Sequence, residues 1–153
     1  RRHKTWVHEG GISTPLIAHW PKGIKAKGAL RHTPSHVIDI VPTILEMAGI
    51  PKPSNWKNQK VPSAPGKSLV PVFASDITIQ RDHLWWFHDG HRAVRKGDFK
   101  LVSAKKEPWE LYDLKTDRAE SKNLVNQKPK LKEKLENLWN DQVEEFKRML
   151  ETK

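Results

Sequence analysis

The sequence predicts an α+β chain, and three observations carry the prediction. Aromatic and β-branched runs in HLWWFH, HRAVRK and FKLVS are separated by Asp89-Gly90 and by Lys96-Gly97-Asp98. Asp-Gly favours a two-residue type I′ hairpin, because that turn needs positive φ at both central positions. Beyond Pro129, Leu131, Leu135, Leu138, Trp139, Val143, Phe146, Met149 and Leu150 recur by threes and fours, the period of an amphipathic helix of about six turns. In SHVIDIVPTILEMAGI, apolar residues at 37, 38, 40, 41, 44, 45, 47 and 48 mark a shorter helical face.

Taken in order, Pro15 to Pro21 reads as a short apolar strand bounded by prolines, and Lys22 to Gly28 as a loop. Ser35 is the expected N-cap of the next helix and Gly49 its C′ residue, with Pro42 either kinking the helix or lying near its first turn. Residues 51–67 carry prolines and polar residues without a period, which predicts an irregular loop before GKSLVPVF. Trp109 to Leu114 would complete a four-stranded antiparallel meander, with the last helix covering its apolar face and Trp85, Trp86 and Trp109 between them. The expected division falls at residues 1–80 and 81–153.

Composition narrows the function. With 36% hydrophobic and 30% charged residues the chain is that of a folded domain. No apolar run approaches the roughly 20 residues needed to span a bilayer, so no membrane partner is expected. The absence of cysteine removes disulfides, thiolate metal sites and a cysteine nucleophile. A formal charge of +10 would suit phosphates, but the lysines are scattered and mixed with acids, so no nucleic-acid partner is expected. The chain opens at Arg1 without methionine, directly before dense glycine-bearing sequence, which gives the expectation of a piece cut from a longer protein.

The densest candidate for chemistry is Lys4 to Gly11, KTWVHEGG. Two glycines after a glutamate allow a tight turn and a close backbone approach. A lysine five residues before the first carboxylate could then present a compact three-donor charge to an oxyanion. The same residues also admit a plain exposed lysine beside a loop.

KTWVHEGGISTPLIAHWPKGI, SHVIDIVPTILEMAGI, GKSL, HRAVRKGDFKLV, WELYDL and DRAESKNL, in this order along nearly the whole chain, resemble the C-terminal part of the sulfatase family, the arylsulfatases and related members of the alkaline-phosphatase superfamily. The resemblance implies the end of an α/β domain followed by a small subdomain of about four antiparallel strands on a long helix. It implies hydrolysis of a small-molecule or carbohydrate sulfate ester by a formylglycine, made from Cys or Ser, beside a Ca²⁺. The nucleophile and the calcium ligands belong upstream of these residues, so this stretch is expected to bind no metal and to be inactive alone. A periplasmic or secreted location is implied by the family only. Lys4 corresponds to the lysine that contacts the substrate sulfate.

Two positions depart from the family pattern: Ser13 stands where many relatives have Arg, and His8 where an aromatic such as Tyr is common. His8 could bind substrate or fill the aromatic's place. In HDGHRAVR, His88 matches a family histidine and His91 replaces an asparagine; His88, His91 and Arg92 are candidate substrate-binding residues, unless His88 and Arg92 only pair across the hairpin. Ser63-Ala64-Pro65-Gly66-Lys67 mimics the formylglycine motif, but lysine cannot copy its bidentate arginine and the segment lies in the proline-rich loop. Arg95, Lys100 and Asp113 read as cross-strand or surface pairs, and Asp39 as a helix-turn residue. Two other readings remain: a phosphodiesterase or phosphonate monoester hydrolase of the same superfamily, or a non-catalytic module that binds an anionic polymer.

Overall fold

A computed structural model describes residues 1–62 and 64–151. Ser63, the first residue of the motif-like SAPGK, lies outside the described residues. The elements in order are a single-turn helix α1 (Glu9–Ile12), a 3-10 turn (Val37–Asp39), α2 (Ile40–Met47), β1 (Asn55–Trp56), β2 (Gln59–Lys60), α3 (Val70–Ala74), β3 (Leu84–His88), β4 (His91–Lys96), β5 (Phe99–Ser103), β6 (Glu110–Asp113) and α4 (Pro129–Glu151). They form two compact units, one of residues 1–16 and 81–153, the other of residues 17–80.

In the first unit the sheet runs β3-β4-β5-β6, antiparallel throughout. Asp89 and Gly90 take φ of 49° and 84°, as the hairpin requires. Each strand's alternate residues face opposite sides. Val94, Leu101, Leu111 and Trp109 pack with Leu135 of α4, joined by Trp85 and Trp139 at the rim. On the other face Ala93, Val102 and Tyr112 pack with Val7 and Leu114, and Ile12 and Trp86 lie against them. The sheet is therefore covered twice, by α4 on one side and by residues 1–16 on the other, which the alternation of a one-sided sheet would not have required.

In the second unit the helix expected from residue 35 begins differently. His36, rather than Ser35, caps the 3-10 turn: its Nδ1 accepts from the Ile38 amide while Asp39 Oδ2 accepts from the His36 amide. This delays α2 to Ile40, so Pro42 falls in the first α-helical turn, where proline is tolerated, rather than kinking the helix. Gly49 takes φ 65° just past the helix, with the Ile50 amide donating to Leu45 O at 3.0 Å. Asp39 also accepts from the Lys67 amide at 2.8 Å, and Thr43 Oγ1 accepts from the Leu69 amide at 2.8 Å, tying α2 to the segment before α3. Pro15 to Pro21 is irregular rather than a strand: among the described residues no strand pairs with it, and Ile17 is exposed. The loop at 51–67 contains the small β1–β2 ladder, closed by Lys57 and Asn58 at positive φ, a turn with no glycine to announce it.

Candidate functional site

The KTWVHEGG segment lies on the sheet face opposite α4 and folds tightly back on itself. His3 to Trp6 form a turn in which the Trp6 amide donates to His3 O at 3.1 Å. Thr5 takes φ 84° there, an uncommon conformation for a β-branched residue. Lys4 is exposed at this turn. Val7 and His8 then turn inward, and α1 starts at Glu9. A Cβ on Gly10 would stand 1.9 Å from Arg2 O, and one on Gly11 1.9 Å from Trp6 O, so the paired glycines are demanded by the backbone's own close approach.

What holds the turn is a buried ionic network. Lys100, the second residue of β5 and 0% exposed, places Nζ 3.0 Å from Glu9 Oε1 and 2.9 Å from Glu120 Oε1. Glu120, also 0% exposed, accepts the Glu9 amide on Oε2 at 2.9 Å. Arg118 donates to Glu9 Oε2 at 3.4 Å and to Ser13 Oγ at 2.7 Å. Burial pushes the Glu9 carboxyl up, but the charges of Lys100 and Arg118 outweigh it and hold its pKa below the ordinary range. Lys100 thus belongs to no surface pair, and Glu120 was not singled out from sequence at all. The available signal was FKLVS itself: Phe99 and Leu101 on one face and Val102 on the other put apolar residues on both sides of the strand, which leaves little solvent for its lysine.

The other predicted residues are spread over both faces. His8 is 0% exposed, with Nε2 2.8 Å from Glu110 Oε2 and Nδ1 buried without a partner. Burial lowers its pKa, and the hydrogen bond to Glu110 only partly offsets this. The ring is enclosed and held to Glu110 rather than facing solvent. Burial pushes the Glu110 carboxyl up, yet bonds from His8 and Arg1 bring its pKa below the ordinary range. Burial and the Glu110 charge raise the Tyr112 phenol to about 12.

The register pairs His88 with His91 and Phe87 with Arg92, so His88 and Arg92 are not cross-strand partners. His91 is buried, its Nδ1 accepting from the Lys105 amide at 3.0 Å and its ring tilted against Trp6 at 5.5 Å between centroids. Arg92 points to the α4 side, with its guanidinium carbon 4.1 Å from the Trp109 ring centroid and 5.8 Å from that of Trp139. His91 is thus buried and Arg92 half-buried, each engaged in packing. His88 and Lys4 are exposed. Among the described residues, no three His, Cys, Asp or Glu side chains gather into a metal-holding group.

Comparison with known proteins places this arrangement. The chain is 34% identical over 146 residues to an uncharacterized sulfatase of Schizosaccharomyces pombe, covering 91% of this chain and 26% of that protein. It is 31% identical over 137 residues to an N-acetylglucosamine-6-O-sulfatase of Bacteroides thetaiotaomicron, covering 79% and 23%. Among solved structures, BT4656 in complex with its substrate D-glucosamine-2-N,6-O-disulfate superposes with a TM-score of 0.52 at 25% identity, covering 72% of this chain and 24% of that one. Ps i-CgsB shares the fold, with a TM-score of 0.58 at 21% identity over 76% of this chain and 26% of that one. The chain thus spans about a quarter of the length of the relatives it matches. Residues 2–148 match the family described as N-sulphoglucosamine sulphohydrolase, C-terminal, and the chain belongs to that family of sulfatase C-terminal regions.

Proposed function

We propose that this chain is the C-terminal part of a hydrolase of carbohydrate sulfate esters, in which Lys4 contacts the substrate sulfate and the chain is inactive without the rest of the protein. The observation that carries the role of Lys4 is its presentation. It is an exposed ammonium on a turn next to a residue at φ 84°, held on a segment whose glycines and buried ion pairs over-determine its path. Strain kept in place by its surroundings concentrates at functional sites. A lysine there would neutralise charge developing on the transferred group and its ester oxygen as the S–O bond breaks. The sulfated hexosamines named for two relatives make a sulfated amino sugar the first substrate to try. The formylglycine and Ca²⁺ implied by the family would supply nucleophile and Lewis acid from residues outside this chain.

The test is Lys4→Ala in the full-length protein, with sulfate release from D-glucosamine-2-N,6-O-disulfate as the readout. Turnover should fall by about 10²–10³-fold, the loss typical when one preorganised donor to a developing oxyanion is removed. Unchanged turnover would reject the assignment of Lys4. Preferential hydrolysis of a phosphodiester by the wild-type protein would reject the sulfatase reading in favour of phosphoryl chemistry.

A further inference from the structure

We infer that Lys100 is a positioning residue for Lys4: its ammonium clamps Glu9 to Glu120 and so fixes the turn from which Lys4 is presented. This rests on the reading of Lys4 as the sulfate contact. The geometry that points to it is the closure of one small circuit. Lys100 Nζ donates to Glu9 Oε1 at 3.0 Å and pairs by charge with Glu120 Oε1 at 2.9 Å, a contact outside hydrogen-bond geometry, and Glu120 Oε2 returns to the Glu9 backbone amide at 2.9 Å. Glu9 is therefore held by its side chain and by its main chain at once. The Gly10 amide donates to Arg1 O at 3.1 Å and the Gly11 amide to His8 O at 2.8 Å, so the clamped residue leads directly into the close backbone approach beneath Lys4.

Electrostatics make Lys100 the keystone. Two carboxylates brought together out of water repel unless a cation lies between them, and both Lys100 and Glu120 are fully buried. Arg118 reaches Glu9 from a more exposed position and touches no oxygen of Glu120 among the bonds and ion pairs found for it. Arg95 also acts on Glu9 by its charge, and the Arg1 ammonium pairs with Glu120 Oε2 at 3.3 Å, but among the ion pairs of the described residues it is Lys100 that joins both carboxylates. Without Lys100, the cheapest relief is for Glu9 to swing away from Glu120, which unlatches α1 and lets the Lys4 turn drift. Displacing a substrate-contacting group by about an ångström costs on the order of 10²-fold in rate.

The test is a double-mutant cycle in the full-length protein with Lys4→Ala, Lys100→Met and the pair, read as kcat/KM for D-glucosamine-2-N,6-O-disulfate and as amide hydrogen exchange at Gly10 and Gly11. Lys100→Met should lower kcat/KM by about tenfold to a hundredfold and speed exchange at Gly10 and Gly11 by at least about tenfold, with β4 and β5 amides unchanged. Because Lys100 acts through Lys4, the pair should be no slower than Lys4→Ala alone. Additive losses would overturn the coupling, and unchanged exchange would overturn the clamp. If Lys4→Ala leaves turnover intact, the sulfate role fails, yet exchange still decides whether the clamp exists. Should Lys100→Met fail to fold, Lys100→Met with Glu120→Gln keeps the trio's net charge while removing the bridge; retention of wild-type exchange and turnover in that protein would refute the inference.

Discussion

At the scale of single residues, His8 joins burial to pH. Its Nε2 donates to Glu110 and its Nδ1 has no partner, so a second proton would be buried without an acceptor. The folded-state pKa is therefore depressed below the unfolded value near 6.5. The sign follows: the unfolded chain takes up the proton first, so stability is full above about pH 6.5 and falls as pH drops toward the folded pKa. Glu9 and Glu110, also depressed, add a second loss below about pH 4.5. Chemical denaturation between pH 7 and 5 should show a falling midpoint, and His8→Gln, which keeps a donor to Glu110 but does not titrate, should flatten that slope. Arg92 supports a different expectation. Its guanidinium over Trp109 is a cation–π contact worth about 0.5–2 kcal/mol, so Arg92→Ala should lower stability by that amount and leave KM for a sulfated sugar unchanged. A large rise in KM would return Arg92 to the substrate.

Among the elements, those specified by neighbouring residues were legible. The Asp89-Gly90 hairpin, the Gly49 helix stop and the period of α4 each depend on a few adjacent positions, and the structure places all three where the pattern does. Elements that depend on distant partners were not. Pro15 to Pro21 has the composition of a strand but pairs with none among the described residues, and Lys57-Asn58 closes a ladder without a turn glycine. The candidate site divided along the same line. Lys4 and the glycine pair were visible as a motif, whereas Glu120 lay within the quoted DRAESKNL with no sign of its partner, because only the fold brings it to Glu9. For the motif, Gly10→Ala should cost at least the roughly 1–3 kcal/mol of an overpacked site, since the clash is with backbone that cannot rotate away. Thermal denaturation measures this, and a neutral substitution would mean that the turn is looser than its contacts imply.

For the molecule as a whole, the unit of residues 1–16 and 81–153 is a sheet closed on both faces, and its stability is divided between two cores. Leu135 joins α4 to Val94, Leu101 and Leu111, so Leu135→Ala should cost about 2–5 kcal/mol in denaturant unfolding. A loss below ~1 kcal/mol would mean that α4 contributes little to the sheet. Synthesis adds a further condition. Glu9 meets Lys100 across 91 residues and Glu120 across 111. Chains fold as they emerge, and contacts this distant must wait for their partners. The turn carrying Lys4 leaves the ribosome before its partners and cannot be set until the strands and the loop after them have followed. A truncated chain that stops before Glu120 would therefore carry Lys4, the proposed sulfate contact, without the means to aim it.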